Sequence, residues 1–184
     1  MKLTEAIYGR RSTRVFSKQP VTKSLLEQLV DSAIQAPSAR NQQPLEFVII
    51  QNIPLLGQIS ESSKAHIRGT EKGLLVLHPH DTLNDPDFHV FYHAPSLIVI
   101  SAEQGDWAVE NVALAAENLM LVAHANGLGT CWIGLAQDWL GTAEGRRAIG
   151  VPEGFLPVAP IIVGHPVGDV PPVPRNPARL RWIN

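Results

Sequence analysis

The sequence predicts a fold that mixes helices and strands, and three features predict it. Three runs, EFVIIQ (46–51), PSLIVISA (95–102) and PVAPIIVG (157–164), carry the β-branched content of buried strands. Around them apolar residues recur at helical spacing, the longest such stretch running from Asp106 to Gly127. The last twenty residues, HPVGDVPPVPRNPARLRWIN, hold five prolines and exclude a helix there. Strands separated by helices fit either α/β or α+β, and periodicity does not choose between them.

Taken in order, TEAIYGR reads as a short opening helix that delivers RRSTR (10–14) at its end. TKSLLEQLVDSAIQAP is a stronger helix: Thr22 can cap it, and Leu25, Leu26, Leu29, Val30, Ala33 and Ile34 fall on one face. Pro37 is expected to end it. A polar loop, SARNQQP, leads into the first buried strand, and a second helix covers PLLGQISESSKAHI. Residues 65–93 mix Gly, Pro, Asp and five histidines with little periodicity, which reads as a loop or lid. The second strand follows. The long helix is expected to be capped by Asp106, stopped by Gly127 and buried on several sides, in the core or at a subunit interface. GTCWIG reads as a short strand, TAEGRRAI as a helix, and PVAPIIVG as the third long strand. The proline-rich tail, 165–184, stays ordered only if docked, in a small protein often on a second subunit. The whole reads as one domain, 1–184.

Composition bounds the function. A chain of 184 residues, 45% hydrophobic and 17% charged with net charge −2, is an ordinary globule without general attraction to nucleic acid or anionic membrane. A single cysteine, Cys131, rules out an intramolecular disulfide and fits a reducing compartment. No signal-peptide core and no membrane-length apolar run is read, so the expected location is cytoplasmic.

Against that balance, RRSTR concentrates three arginines and two hydroxyls in five positions. Guanidinium forks match phosphate or carboxylate oxygens, although a solvated surface run has the same composition. GLGTCWIG fails as a dinucleotide fingerprint, because its third glycine is misplaced and the order reads helix then strand. No P-loop and no G-x-S-x-G elbow is present. The polar loop offers Ser38, Asn41, Gln42 and Gln43, suited to a planar heteroaromatic ring or to plain capping. HPHDTLNDPDFH supplies His78, His80, Asp81, Asp85, Asp87 and His89 but matches no metal-ligand spacing, and exposed loop histidines are expected. Cys131 lies in an apolar strand and reads as a small buried residue.

The order of these pieces resembles the FMN-dependent nitroreductase family. RRSTRVF is similar to its R-R-S-x-R-x-F segment, APSARNQQPLEFVI to its A-P-S-x-x-N-x-Q-P-W-x-F-x-V loop and strand, and YHAPSLIVI and NGLGTCWIG to later segments. RNP (175–177) is similar to the tail segment that supplies a last arginine. The departures are Leu45 where tryptophan is usual, Asn176 where lysine is common, and residues 65–93, which match nothing in the family.

The resemblance implies an α+β fold of three layers, a mainly antiparallel sheet flanked by helices, with a long buried central helix and an extended tail. It implies bound FMN, with Arg10, Arg11, Ser12, Arg14 and Arg175 at the phosphate and ribityl chain. Pro37, Ser38, Ala39 and Asn41 come from the partner of a homodimer, and Trp132, Ile133 and Gly134 back the ring. The implied reaction is ping-pong hydride transfer from NAD(P)H to nitroaromatics, quinones or other electron-poor acceptors, with no indispensable side-chain acid or base and no metal. Dehalogenation, azoline oxidation, flavin cleavage, a non-catalytic FMN module and a nucleic-acid-contacting arm are the alternatives.

Overall fold

The computed structural model describes residues 1–70 and 80–183, without the side chains of residues 80 and 81. Four antiparallel strands form the sheet in the order β1-β2-β4-β3: β1 (Leu45–Ile50), β2 (Ser96–Glu103), β3 (Gly129–Trp132) and β4 (Phe155–Gly164). The architecture is therefore α+β rather than a parallel α/β sheet. Side chains alternate across a strand, and β2 shows the consequence. Ile98, Ile100 and Ala102 face α2 (Lys23–Ala33) and α5 (Ala108–Ala125), where Leu26, Leu29, Val112 and Leu119 pack. Leu97 and Val99 face the other way, onto α3 (Ile53–Arg68), α6 (Gly134–Leu140) and α7 (Ala143–Ile149), where Leu56, Ile59, Ala136, Leu140 and Ile149 pack. Two apolar layers on one sheet are the three-layer arrangement. Each fully buried Leu or Ile contributes about 1.5–3 kcal/mol.

Local chemistry explains most boundaries. The Thr22 hydroxyl accepts the Leu25 N–H (3.3 Å) at the start of α2, and the Asn52 side chain does the same for Leu55 (3.0 Å) in α3. Gly127, with φ 74°, takes the left-handed turn that ends α5. The opening helix is α1 (Leu3–Gly9).

Several expectations are corrected. Helix α2 stops at Ala33, before Pro37, and Ile34 is exposed rather than on the buried face. Asp106 does not cap α5; Trp107 holds that position without a side-chain cap bond. Of the two places read for the burial of α5, the core of the single chain covers one side of the helix only. α5 buries one face, Ala108, Val112, Ala115, Ala116, Leu119 and Ala123, and leaves Val109 and Leu114 about half exposed. β1 is a half-buried edge strand because its outer edge has no neighbour in the sheet. Residues 65–93 are not all loop: α3 runs to Arg68 and α4 covers His80–Asn84. His78 lies outside the described residues. His89 is half-buried rather than exposed. The sequence reading missed α6, which starts at Gly134 directly after β3; seven residues with alanine, glycine and one buried tryptophan carry too little periodicity to show.

Candidate cofactor site

The site is assembled at the β3 edge of the sheet. α1 ends at Arg10, whose N–H donates to Ala6 O (2.9 Å). The chain then runs alongside β3: Ser12 bridges Thr130 in parallel register, and Thr13 N donates to Thr130 O (2.9 Å). That approach needs Gly129. A Cβ there would stand 2.7 Å from the Thr13 Cβ, Cγ2 and Oγ1 atoms, and Thr13 is itself buried. Farther on, Phe16 bridges Pro166, so the start of the tail is fastened beside the arginine segment.

Arg10, Arg11, Ser12, Arg14 and Arg175 accordingly line one cavity of about 330 Å³, with Val170, Pro171 and Val173. No acidic side chain lines it. Arg10 Nε is 3.5 Å from Glu117 Oε1 on α5, while one Arg11 Nη donates to Tyr8 O (2.7 Å) and Arg10 O (2.8 Å). The Nε atoms of Arg10 and Arg11 are buried without a hydrogen-bond acceptor among the described residues. Four guanidinium groups in one cavity, with the Arg11 Nε buried and without an acceptor, describe a place that fits an anionic oxygen ligand. FMN carries such a group, and the residues present fit it.

Electrostatics in the neighbourhood follow the same charge. Burial, then Arg10 and Arg11, hold the His124 imidazole below its usual pKa, so it is neutral near pH 7. Burial pushes the Cys131 thiol up, against the opposing pull of Arg14, a hydrogen bond from Ser12, and Arg10. Cys131 is therefore a protonated thiol and not a nucleophile.

Trp132 ends β3, Ile133 and Gly134 lead from it into α6, and none of the three lines the arginine cavity. Trp132 is half-buried, Ile133 is buried with its N–H on Pro160 O (2.8 Å), and Gly134 is exposed at the first turn of α6 with open space where a Cβ would point. Pro37, Ser38, Ala39 and Asn41 are not brought to this cavity within one chain. They precede β1 at the opposite sheet edge, and Ala39 N donates to Asn111 Oδ1 (2.9 Å) near the start of α5. Gly9 packs on His124 near the end of α5. Thirteen residues at 1.5 Å separate Asn111 from His124, about 20 Å along the helix. The 37–43 loop is strained instead of extended: Arg40, Asn41 and Gln43 have φ of 53°, 55° and 51°. Ser38 Oγ accepts the Gln43 N–H (2.9 Å), and Gln43 donates to Asn41 Oδ1 (3.2 Å). A second, polar cavity of about 270 Å³ opens beside it, lined by Arg40, Gln42, Glu103, Asp106 and Trp107 among others.

Two residues set against the cavity's arginines went unread in the sequence. Glu117 is hidden among the helical charges of α5. Tyr92, whose ring centroid lies 5.8 Å from the Arg14 guanidinium carbon, begins the matched segment YHAPSLIVI but was given no role. Among the described residues no group of three or more His, Cys, Asp or Glu side chains is arranged to hold a metal ion, and no helix is long and apolar enough to cross a membrane.

Comparisons with known proteins find relatives of the chain and of its fold. A Methanothermobacter thermautotrophicus protein, provisionally named NADH dehydrogenase/NAD(P)H nitroreductase, is 29% identical over 175 residues, 90% of this chain and 78% of that protein. A Bacteroides fragilis nitroreductase solved with bound FMN shares the fold with TM-score 0.84 at 23% identity, covering 100% of this chain and 98% of that one. An iodotyrosine deiodinase solved with FMN and 3-iodo-L-tyrosine shares it at 0.78 and 23%, each chain covered in full. The sequence profile of the nitroreductase family matches residues 7–165. With the fold, the cationic cavity and that match in place, the chain belongs to the nitroreductase family of oxidoreductase enzymes.

Proposed function

We propose that the chain binds FMN in the arginine-lined cavity and uses NAD(P)H to reduce small electron-poor acceptors such as nitroaromatics or quinones. One observation carries this reading. Arg175, more than 160 residues from Arg10, Arg11, Ser12 and Arg14, returns to the same cavity, where Glu117, paired to Arg10 from outside the lining, is the one acid near the four guanidinium groups among the described residues. Each charge-assisted bond to a dianionic phosphate is worth about 1.5–3 kcal/mol. When bound, the isoalloxazine ring supplies the hydride chemistry, alternating between NAD(P)H and the acceptor.

The chain's own residues bind and orient. Arg10, Arg14 and Arg175 hold the phosphate, Ser12 stands at the ribityl chain, and Arg11 ties the end of α1 to its own carbonyls. Trp132, Ile133 and Gly134 form a wall at the β3 edge. No acid or base among them is assigned a proton transfer. Geometry is the contribution, the reacting atoms held about 3–3.5 Å apart.

The active unit in this reading is a homodimer. Pro37, Ser38, Ala39 and Asn41 stand too far from the cavity of their own chain to close it, and a second copy supplies them. Val109 and Leu114 on α5, Leu3, Ile7 and Tyr8 on α1, and Leu180, Trp182 and Ile183 in the tail are exposed in one chain. A surface with that much exposed apolar area supports association.

The visible spectrum of the purified protein, followed anaerobically as NADH or NADPH is added, tests the reading. Flavin bands that bleach and return with a nitroarene or quinone are expected. A flavin that fails to bleach leaves a binding module, and no flavin after incubation with FMN removes the proposal. The full-length likeness to the deiodinase favours one second reading, reductive dehalogenation at the same site. Halide release from a halophenol by the reduced protein distinguishes it.

A further inference from the structure

We infer that Tyr92 is a positioning residue for Arg14: its ring face holds the guanidinium in the orientation that receives the cofactor phosphate. The inference rests on the FMN reading above and adds a residue to which the sequence reading gave no role.

Arg14 is exposed and, among the described residues, has no hydrogen bond and no ion pair. The other arginines differ: Arg10 has Glu117, and Arg11 has two backbone carbonyls. A free arginine keeps many rotamers and loses them on binding an anion. What Arg14 does have is the Tyr92 ring, 5.8 Å from its guanidinium carbon, within the range of a cation–π contact. The contact leaves the in-plane N–H donors unspent, which a salt bridge would not.

The ring is itself held in place. Phe88 meets it edge-on, centroids 6.0 Å apart and planes at 85°. Tyr92 N–H donates to His89 O (2.8 Å). Its backbone is left-handed, φ 51°, and so is that of His93 at 54°, a conformation costly for residues with a Cβ. A turn kept against that cost presents one side chain where a relaxed loop would not.

The test compares FMN with riboflavin, which has the ring and ribityl chain but no phosphate. Dissociation constants for both are measured by flavin-fluorescence quenching on apoprotein of the wild type, Tyr92→Leu and Tyr92→Phe, with circular dichroism as a check of folding. Tyr92→Leu is expected to weaken FMN by roughly 2- to 5-fold, the worth of an exposed cation–π contact, and to leave riboflavin unchanged. Tyr92→Phe keeps both constants. Equal weakening of FMN and riboflavin by Tyr92→Leu overturns the inference, because the ring then acts on the flavin or on the fold. No change with Tyr92→Leu, or a lost FMN preference in Tyr92→Phe, also overturns it. If Tyr92→Leu does not fold, Tyr92→Trp takes its place: a retained or larger FMN preference supports the inference and a smaller one overturns it. A wild type that binds no FMN, or does not prefer it to riboflavin, removes the FMN reading too, and that result is seen before any variant is measured.

Discussion

Arg10 Nε lies 3.5 Å from Glu117 Oε1, an ion pair that crosses from the end of α1 to the middle of α5 at the border of the arginine cavity. Glu117 is about half exposed, so the pair contributes little to stability. Its effect is on the cavity, where a carboxylate competes with an incoming anion for Arg10. Glu117→Gln is expected to leave thermal stability within about 0.5 kcal/mol of wild type. It should tighten FMN binding by roughly 2- to 5-fold at low ionic strength, with the gain fading as salt is raised. Fluorescence titrations at two salt concentrations check both parts; weaker binding would show that Glu117 orients Arg10 more than it competes.

The bridge between Ser12 and Thr130 depends on the absence of a side chain at residue 129. Gly129→Ala places a methyl 2.7 Å from three Thr13 atoms, and Thr13 is buried with nowhere to move. A cost of about 1–3 kcal/mol is expected from overpacking. The arginine segment should be displaced from β3 with it. Urea melts of the apoprotein give the first quantity, and FMN retained through gel filtration gives the second. Gly134→Ala is the control: a Cβ there meets nothing within 4 Å, so stability should hold.

His89 is held neutral. Burial, and then the neighbouring His93 and Lys64, lower its pKa from 6.5 to about 4, against a raising pull from Glu61. Its Nδ1 accepts the Phe91 N–H (3.1 Å), an acceptor role that protonation ends. The folded pKa lies below the unfolded one, and the proton prefers the unfolded chain. The linked stability is therefore fully present above pH 6.5 and falls as the pH is lowered toward 4. Denaturant melts across that window should show wild type losing stability that His89→Gln keeps. Parallel curves would mean that His89 titrates normally.

Removal of the tail after Gly168 takes away Arg175 and the exposed Leu180, Trp182 and Ile183 together. In the dimeric reading the truncated chain sediments as a monomer and comes through purification without flavin. Arg175→Ala in the full chain separates the two effects. It should weaken FMN by about 10- to 100-fold through the lost charge-assisted bond while the dimer persists. A truncated chain that stays dimeric would place the association elsewhere.

The legibility of the sequence followed the range of the interactions involved. Thr22 was readable as a cap because its partner, Leu25 N, is three residues away. β2 and β4 were readable because the runs LIVI and IIV concentrate branched side chains within strands of eight and ten residues. The end of α2 was misplaced because Pro37 is a visible stop, whereas the chain had already turned at Ile34. Helix α6 was missed because seven residues hold less than two turns' worth of apolar period. The arginine segment stood out by charge alone, but nothing in RRSTR names Tyr92 or Glu117, which lie some 80 and 100 residues away.

By itself, then, the sequence determined the kinds of most elements, the Thr22 cap and the Gly127 stop, the cationic segment and the family likeness, all consequences of spacing and composition within short windows. Tertiary structure alone decided that β1 stands at an edge of the antiparallel sheet, and that α5 buries only one face in a single chain. It also decided that Arg175 closes on Arg10 and Arg14, and that residues 37–41 stand at the far end of α5 from them. These depend on which distant segments bury one another. Burial is non-directional, so local spacing can call for it without naming the partner.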